Sequence, residues 1–199
     1  MDIALNLTIF AVTAILVTVI PRDGGGWSPE KYRIAFRFFT VQSNVFCAAA
    51  CLLTAIFTLA GNVPRWVWLL KYATTTMVTV TMMTVFLYLA PSIGKGWAKR
   101  LLVGRPSDIF MHLLTPSAAL VSFCVFEKRG MSFMQALWGM LPVLLYGILY
   151  IRKILYAPAE KRWEDFYGFN RGGKMAVSAA GMLAGTFIIC MALMGLQNL

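Results

Sequence analysis

Phe38 to Ala60 reads FFTVQSNVFCAAACLLTAIFTLA, 23 residues without one charged side chain. At about 1.5 Å of rise per residue a helix of this length covers the roughly 30 Å hydrocarbon core of a bilayer. Outward from it lie five more apolar runs: Ile3–Ile20, Trp66–Ala90, Ile109–Phe126, Phe133–Ile151 and Met175–Leu196. The first has no basic flank before it and no small-residue cleavage site before Pro21, so it reads as a retained helix and not a signal peptide. The 199 residues are 59% apolar and 13% charged, with a mean hydropathy of +0.72. Soluble domains hold about 45–50% apolar residues, glycine included. An ordinary soluble enzyme, a disordered chain and a barrel of alternating strands are thereby excluded. The sequence predicts one all-α domain over residues 1–199, a polytopic membrane protein built as a six-transmembrane-helix bundle. Connections such as Gly61-Asn62-Val63-Pro64 and Glu127-Lys128-Arg129-Gly130 are short, so neighbouring helices run antiparallel. No internal repeat is visible, which weighs against an inverted-repeat transporter.

The net charge of +10 would suggest nucleic acid in a soluble chain; in a membrane protein it reports orientation, and no nucleic-acid partner is expected. The first, third and fifth loops hold 14 basic residues, including Arg22, Lys31, Lys95, Lys99, Arg100, Arg105, Arg152, Lys153 and Lys161. The opposite side has four: Arg65, Lys71, Lys128 and Arg129. This asymmetry places the odd loops in the cytoplasm and both termini outside it. In the fifth loop Trp163, Phe166, Tyr167 and Phe169 stand among charges. That mixture suits a segment in the headgroup region, and equally an ordinary loop with anchoring aromatics. Ser178, Gly181 and Gly185 share a face of the last helix, where small residues suit close packing inside the bundle. Cys47, Cys51, Cys124 and Cys190 all lie in apolar runs. Cys47 and Cys51, one turn apart, read as small packing residues, since no second ligand pair accompanies them.

Polar side chains at membrane depth carry the chemistry, because each demands a partner. No Asp or Glu falls inside any predicted span, which argues against a proton pump or cation-coupled carrier. His112 is the only histidine. Thr40, Ser43 and Asn44 share one face at the start of the second helix, and Gln42 points away. The second and fourth helices enter from the same side, so Thr40 and His112 are expected at similar depths, about 3–6 Å below the boundary. Imidazole is the usual base near neutral pH, and a threonine hydroxyl becomes a nucleophile when a base removes its proton. Ser43 and Asn44 are then candidate donors to a developing oxyanion. Each residue also has a plainer reading. His112 suits a structural hydrogen bond between helices, and Thr40 a bond to its own helix backbone. Asp108, four residues before His112, can orient the ring but reads more simply as an N-cap. In the third helix Thr74, Thr75, Thr76, Thr79, Thr81 and Thr84 are too many to be catalytic. Thr81, Thr84 and Tyr88 form a stripe that is expected to line a cavity beside Thr40, and Pro116 is expected to bend the fourth helix.

Phe39-Thr40-x-Gln42-Ser43-Asn44, Thr81–Ala90 (TMMTVFLYLA) and His112-x-x-x-Pro116 together resemble the androgen-induced protein and androgen-dependent TFPI-regulating protein family. The likeness is greatest to its small bacterial six-span relatives. The resemblance implies an intramembrane threonine hydrolase that cleaves fatty acid esters of hydroxy fatty acids. Thr40 matches the nucleophile and His112 the catalytic histidine. The family's aromatic- and proline-rich stretch before the last helix corresponds only loosely to Trp163–Asn170 (WEDFYGFN).

The expected activity is therefore acyl transfer from a lipid or fatty acyl ester to Thr40, then hydrolysis, without metal or organic cofactor. Ser43, Asn44, Thr81, Thr84 and Tyr88 are expected at the substrate. The expected location is a bacterial inner membrane. The rival is a non-enzymatic carrier or lipid-binding scaffold, in which the same polar cluster only holds a headgroup. A rhomboid-like Gly-x-Ser-Gly signature is absent. The charge asymmetry yields a direct test: a C-terminal reporter that works only in the cytoplasm stays silent, and a positive signal overturns the orientation.

Overall fold

The computed structural model describes residues 2–19, 28–89, 96 and 106–199, and no strand occurs among them. The helices are α1 (Ile3–Val19), α2 (Pro29–Ala35), α3 (Phe39–Leu59), α4 (Arg65–Leu89), α5 (Ser107–Phe126), α6 (Phe133–Tyr156) and α7 (Met175–Asn198). The last five are long and apolar enough to cross a membrane, whereas α1 is apolar but shorter, at 17 residues. The chain is thus a polytopic helical bundle. Ile20, Arg22, Ala90, Lys95, Lys99, Arg100 and Arg105, which carried expectations about helix ends and loop charge, lie outside the described residues.

Helix α4 is the hub, packed against α3, α5, α6 and α7, while α1 packs against α3 and α5. Its residues Thr74 to Met82 are all buried, so hydroxyls there have no solvent to turn to. Most bond back to their own helix: Thr74 to Lys71 O, Thr76 to Tyr72 O, Thr79 to Thr75 O and Thr81 to Met77 O, at 2.8–3.1 Å. This satisfies a polar group without a partner helix. Cys47 and Cys51 pack with Ile9, Val78 and Ala119 where α1, α3, α4 and α5 meet, as small core residues.

Two charges, Lys71 near the start of the third apolar run and Glu127 in the loop after the fourth, are buried. Lys71 is 0% exposed and Glu127 1%. Lys71 Nζ lies 3.7 Å from Glu127 Oε1, donates to Asn6 Oδ1, and reaches Cys51 Sγ at 2.9 Å. Glu127 Oε1 also accepts from Asn6 Nδ2 at 2.7 Å and from Ser122 Oγ at 2.8 Å. Trp68 Nε1 donates to the Glu127 backbone carbonyl at 2.7 Å. One polar layer therefore joins α1, α3, α4 and the end of α5. No carboxylate lies inside a predicted span, yet one is folded back against the spans, because Lys71 sits about 9 Å into α4 and needs a counter-charge there.

Three further expectations are corrected. Helix α6 does not end at Ile151 but continues through a π-helical turn, Arg152–Tyr156. The long side chains of Arg152 and Lys153 can carry their charges outward while the backbone stays helical. Pro106–Ile109 is already helical, so Asp108 lies within the helix and is not its N-cap. Gly181 and Gly185 face open space, not a neighbouring helix. The buried stripe of α7 is Thr186, Cys190, Leu193 and Gln197, one residue round from the glycines.

The Lys71–Glu127 pair should behave as a unit. Lys71→Met alone leaves a buried carboxylate uncompensated and is expected to cost about 3–5 kcal/mol, whereas adding Glu127→Leu should recover much of that loss. Thermal unfolding in detergent measures both. Additive losses in the double variant would show that the pair is not coupled.

Candidate functional site

The start of α3 has an unusual cap. Phe38 occupies the N-cap and offers no side-chain acceptor. The acceptor comes from the fifth loop, where Tyr167 Oη takes the Phe39 N–H at 3.0 Å. The loop is a folded unit and not a free strand of aromatics. Asp165 accepts from Tyr150 Oη at 2.7 Å, from Phe169 N at 2.9 Å and from Asn170 N at 2.8 Å. Gly168, at φ +68°, takes the left-handed turn that a side chain would resist. Tyr150, Phe166, Tyr167 and Phe169 pack ring against ring. The loop thus closes the end of the bundle between α3 and α6.

Beneath it lies an apolar cavity of about 120 Å³, lined by α3, α4, α6, α7 and the loop. Six hydroxyl-bearing residues stand on its wall: Thr40, Thr81, Thr84, Tyr146, Tyr150 and Tyr167. Four of them donate elsewhere: Thr81 to Met77 O, Thr84 to Met182 Sδ, Tyr146 to Arg37 O and Tyr150 to Asp165. The protons of Thr40 and Tyr167 are taken by no described carbonyl, carboxylate or thioether. The two hydroxyls are instead hydrogen-bonded to each other, and Tyr146 also bonds to Tyr167. Burial pushes the Tyr167 phenol above its ordinary pKa, so it stays a donor. Thr40 does not make the backbone bond typical of a helical threonine, unlike Thr54 and Thr186.

The other expected site residues fall out differently. Thr81 and Thr84 line the cavity, but Tyr88 does not. A π-helical turn over Val85–Leu89 changes the register and brings Val85 and Leu89 onto the wall instead. Tyr88 points to the fifth loop, donating to Gly168 O at 3.4 Å and meeting Phe169 edge-on. Ser43 is fully buried, its hydroxyl shared between Thr40 O and Thr81 Oγ1, both at 3.0 Å. Asn44 spends both amide protons, one on Thr40 O at 2.8 Å and one on Met111 O at 3.1 Å. Neither has a free proton turned to the cavity, so neither is placed as an oxyanion donor.

Met111 accepts from Asn44 for a reason written in α5. Phe110–Leu114 forms a π-helical turn, with Thr115 N bonding to Phe110 O, five residues back. In that register the next donor would be residue 116, a proline without an N–H. The Met111 carbonyl is left over, and Asn44 takes it. One Asn44 nitrogen lies 2.8 Å from Thr40 O and 3.1 Å from Met111 O, so the two carbonyls stand at a similar level. His112 does not line the cavity. Its Nδ1 is buried and has no hydrogen-bond partner among the described residues, so the ring is not held by an interhelical bond through that atom.

Sequence reasoning missed Tyr167 and Tyr146 as neighbours of Thr40. The signal lay in WEDFYGFN, where an aromatic run is broken by one glycine. It missed the Lys71–Glu127 layer as well, although a lone lysine at the sixth position of an apolar run requires a partner. No three His, Cys, Asp or Glu side chains converge as metal ligands among the described residues. Compared with known proteins, the chain matches no family model, no curated protein and no solved structure.

Proposed function

We propose that this protein is an intramembrane lipid ester hydrolase with Thr40 as nucleophile. The observation that carries the reading is the Thr40 hydroxyl, free of its own helix backbone and bonded to Tyr167, on the wall of an apolar cavity. The resemblance to the androgen-induced protein family agrees, and it suggests fatty acid esters of hydroxy fatty acids as the substrate class. In this reading α1 completes a sixth span, the termini face away from the cytoplasm, and the protein sits in a bacterial inner membrane with Thr40 near the cytoplasmic boundary.

The acyl chain enters the cavity and its carbonyl comes to rest at Thr40. Thr40 Oγ attacks the carbonyl carbon while His112 takes the hydroxyl proton. The negative oxygen that develops receives a hydrogen bond from Tyr167, the donor already standing beside Thr40. Collapse expels the alcohol, which leaves with the proton from His112, and an acyl-Thr40 ester remains. Hydrolysis by water, deprotonated by the same imidazole, releases the fatty acid and restores Thr40. His112 must turn toward Thr40 from outside the cavity wall. Catalytic hydrogen bonds are often long without substrate and tighten on binding, and the unpartnered Nδ1 costs no existing bond when the ring moves.

The absence of His112 from the cavity wall favours a second reading, a lipid-binding or carrier protein in which the cavity holds an acyl chain and no bond breaks. Covalent labelling by a fluorophosphonate or activated-acyl probe separates the two. The hydrolase labels at Thr40, and the carrier does not label.

Two measurements follow for purified protein and a lipid ester. Thr40→Ala and His112→Ala each abolish hydrolysis, and the double variant is little worse than either, as for residues acting as a unit. Ester hydrolysis undiminished in Thr40→Ala sinks the proposal. Tyr167→Phe removes the oxyanion donor while keeping the ring, and should lower kcat about 10²–10³-fold with little change in KM. An unchanged kcat would remove Tyr167 from the mechanism.

A further inference from the structure

The last turn of α6 forms a second recess that the hydrolase reading does not use. Leu149, Arg152, Lys153 and Tyr156 follow one another at spacings of three, one and three residues, and so share one helix face. They line a recess of about 390 Å³, closed on the far side by Pro158 and Lys161. The chain reversal that brings Lys161 back is pinned by Arg162, which donates from Nε and Nη2 to Ala157 O, both at 3.2 Å. Trp163 N bonds to Lys153 O at 3.2 Å, and the Trp163 ring lies 6.0 Å from Lys153 Nζ.

Charge in this recess is one-sided. Three cations line it and no acidic residue does. Among the described residues none of the three is in an ion pair. The nearby acids are otherwise placed: Asp165 is bonded to Tyr150, Phe169 N and Asn170 N, while Glu160 is exposed and off the lining. Just below, Leu141, Leu145 and Ile148 make an exposed apolar strip on α6, 43–58% accessible. A membrane-spanning helix therefore runs from a lipid-facing strip straight into an uncompensated basic recess at the interface.

We propose that this recess is a binding site for the phosphate headgroup of an anionic phospholipid. Arg152 and Lys161 hold the phosphate from the two sides of the chain reversal, Lys153 adds charge from the helix, and the Leu141–Leu145–Ile148 strip takes an acyl chain. The apolar strip selects a lipid over free phosphate, since an inorganic ion has no use for it. Each basic residue near an anionic membrane surface contributes about 1 kcal/mol, roughly fivefold in affinity.

The test uses the full chain in a nonionic detergent, titrated with phosphatidylglycerol or phosphatidylcholine and followed by native mass spectrometry. Phosphatidylglycerol is retained in preference to phosphatidylcholine. The variant R152Q/K153Q/K161Q binds it about a hundredfold more weakly. K128Q/R171Q/K174Q removes the same number of charges elsewhere and leaves binding unchanged. Lys161→Glu alone, on an exposed turn with no packing to lose, also weakens retention and guards against misfolding of the triple variant. Equal retention by R152Q/K153Q/K161Q, equal retention of phosphatidylcholine, or displacement by inorganic phosphate at concentrations matching the lipid would each overturn the proposal. None of these readouts depends on whether Thr40 is a nucleophile.

Discussion

A charge inside a membrane bundle must be neutralised by the bundle itself, and in this protein Lys71 sets that demand. Lys71 enters α4 about two turns from its end, too deep for an ammonium group without partners. Glu127 meets it from the end of α5, Asn6 from α1 and Cys51 from α3. Four segments are thereby fixed in mutual register at one level. Apolar packing alone would not do this, since lipid tails and leucines compete on equal terms for an apolar helix face. The polar layer says which helices meet and at what height.

At the other end of the bundle the organising element is a missing donor. Pro116 deprives one carbonyl of α5 of its backbone partner, the π-helical turn over Phe110–Leu114 makes that carbonyl Met111's, and Asn44 supplies the bond. One asparagine then ties the start of α3 to α5 and consumes both of its protons. The consequence for chemistry is direct. Asn44 becomes structural, Ser43 is bonded beside it, and the hydroxyls left over at the cavity are Thr40 and Tyr167. The site is defined as much by which groups are spent as by which are present.

The fifth loop supplies the rest. Asp165 gathers three donors, Gly168 turns the chain, and the aromatic residues close over the cavity while Tyr167 caps α3. A long helix that begins with Phe38 has no acceptor of its own for the first amide, so the cap has to come from elsewhere in the chain. The same contact sets a phenol beside Thr40. Capping and site assembly are therefore one event, and the loop cannot be removed without exposing both the helix end and the cavity.

How much of this was legible in the residues follows from the range of each interaction. The apolar runs are local properties of the chain, so the helical, membrane-spanning character and nearly every helix boundary could be read directly. Back-bonding of the α4 threonines was legible too, being a bond within one helix. Thr40 was picked out as a polar residue at the start of an apolar run, and the structure lines a cavity with it. Groups whose partners lie far along the chain were not legible: Glu127 on Lys71, Tyr167 on Phe39, Asn44 on Met111. The place of His112 off the cavity wall was not legible, because counting from helix ends does not say which way a ring turns. Tyr88 was misplaced because a π-helical turn alters the register that regular periodicity assumes. Hydropathy acts on each residue through its solvent and is written in the sequence one position at a time. Hydrogen-bond and charge pairing act between residues 56 to 128 positions apart, and only the folded bundle decides which of them meet.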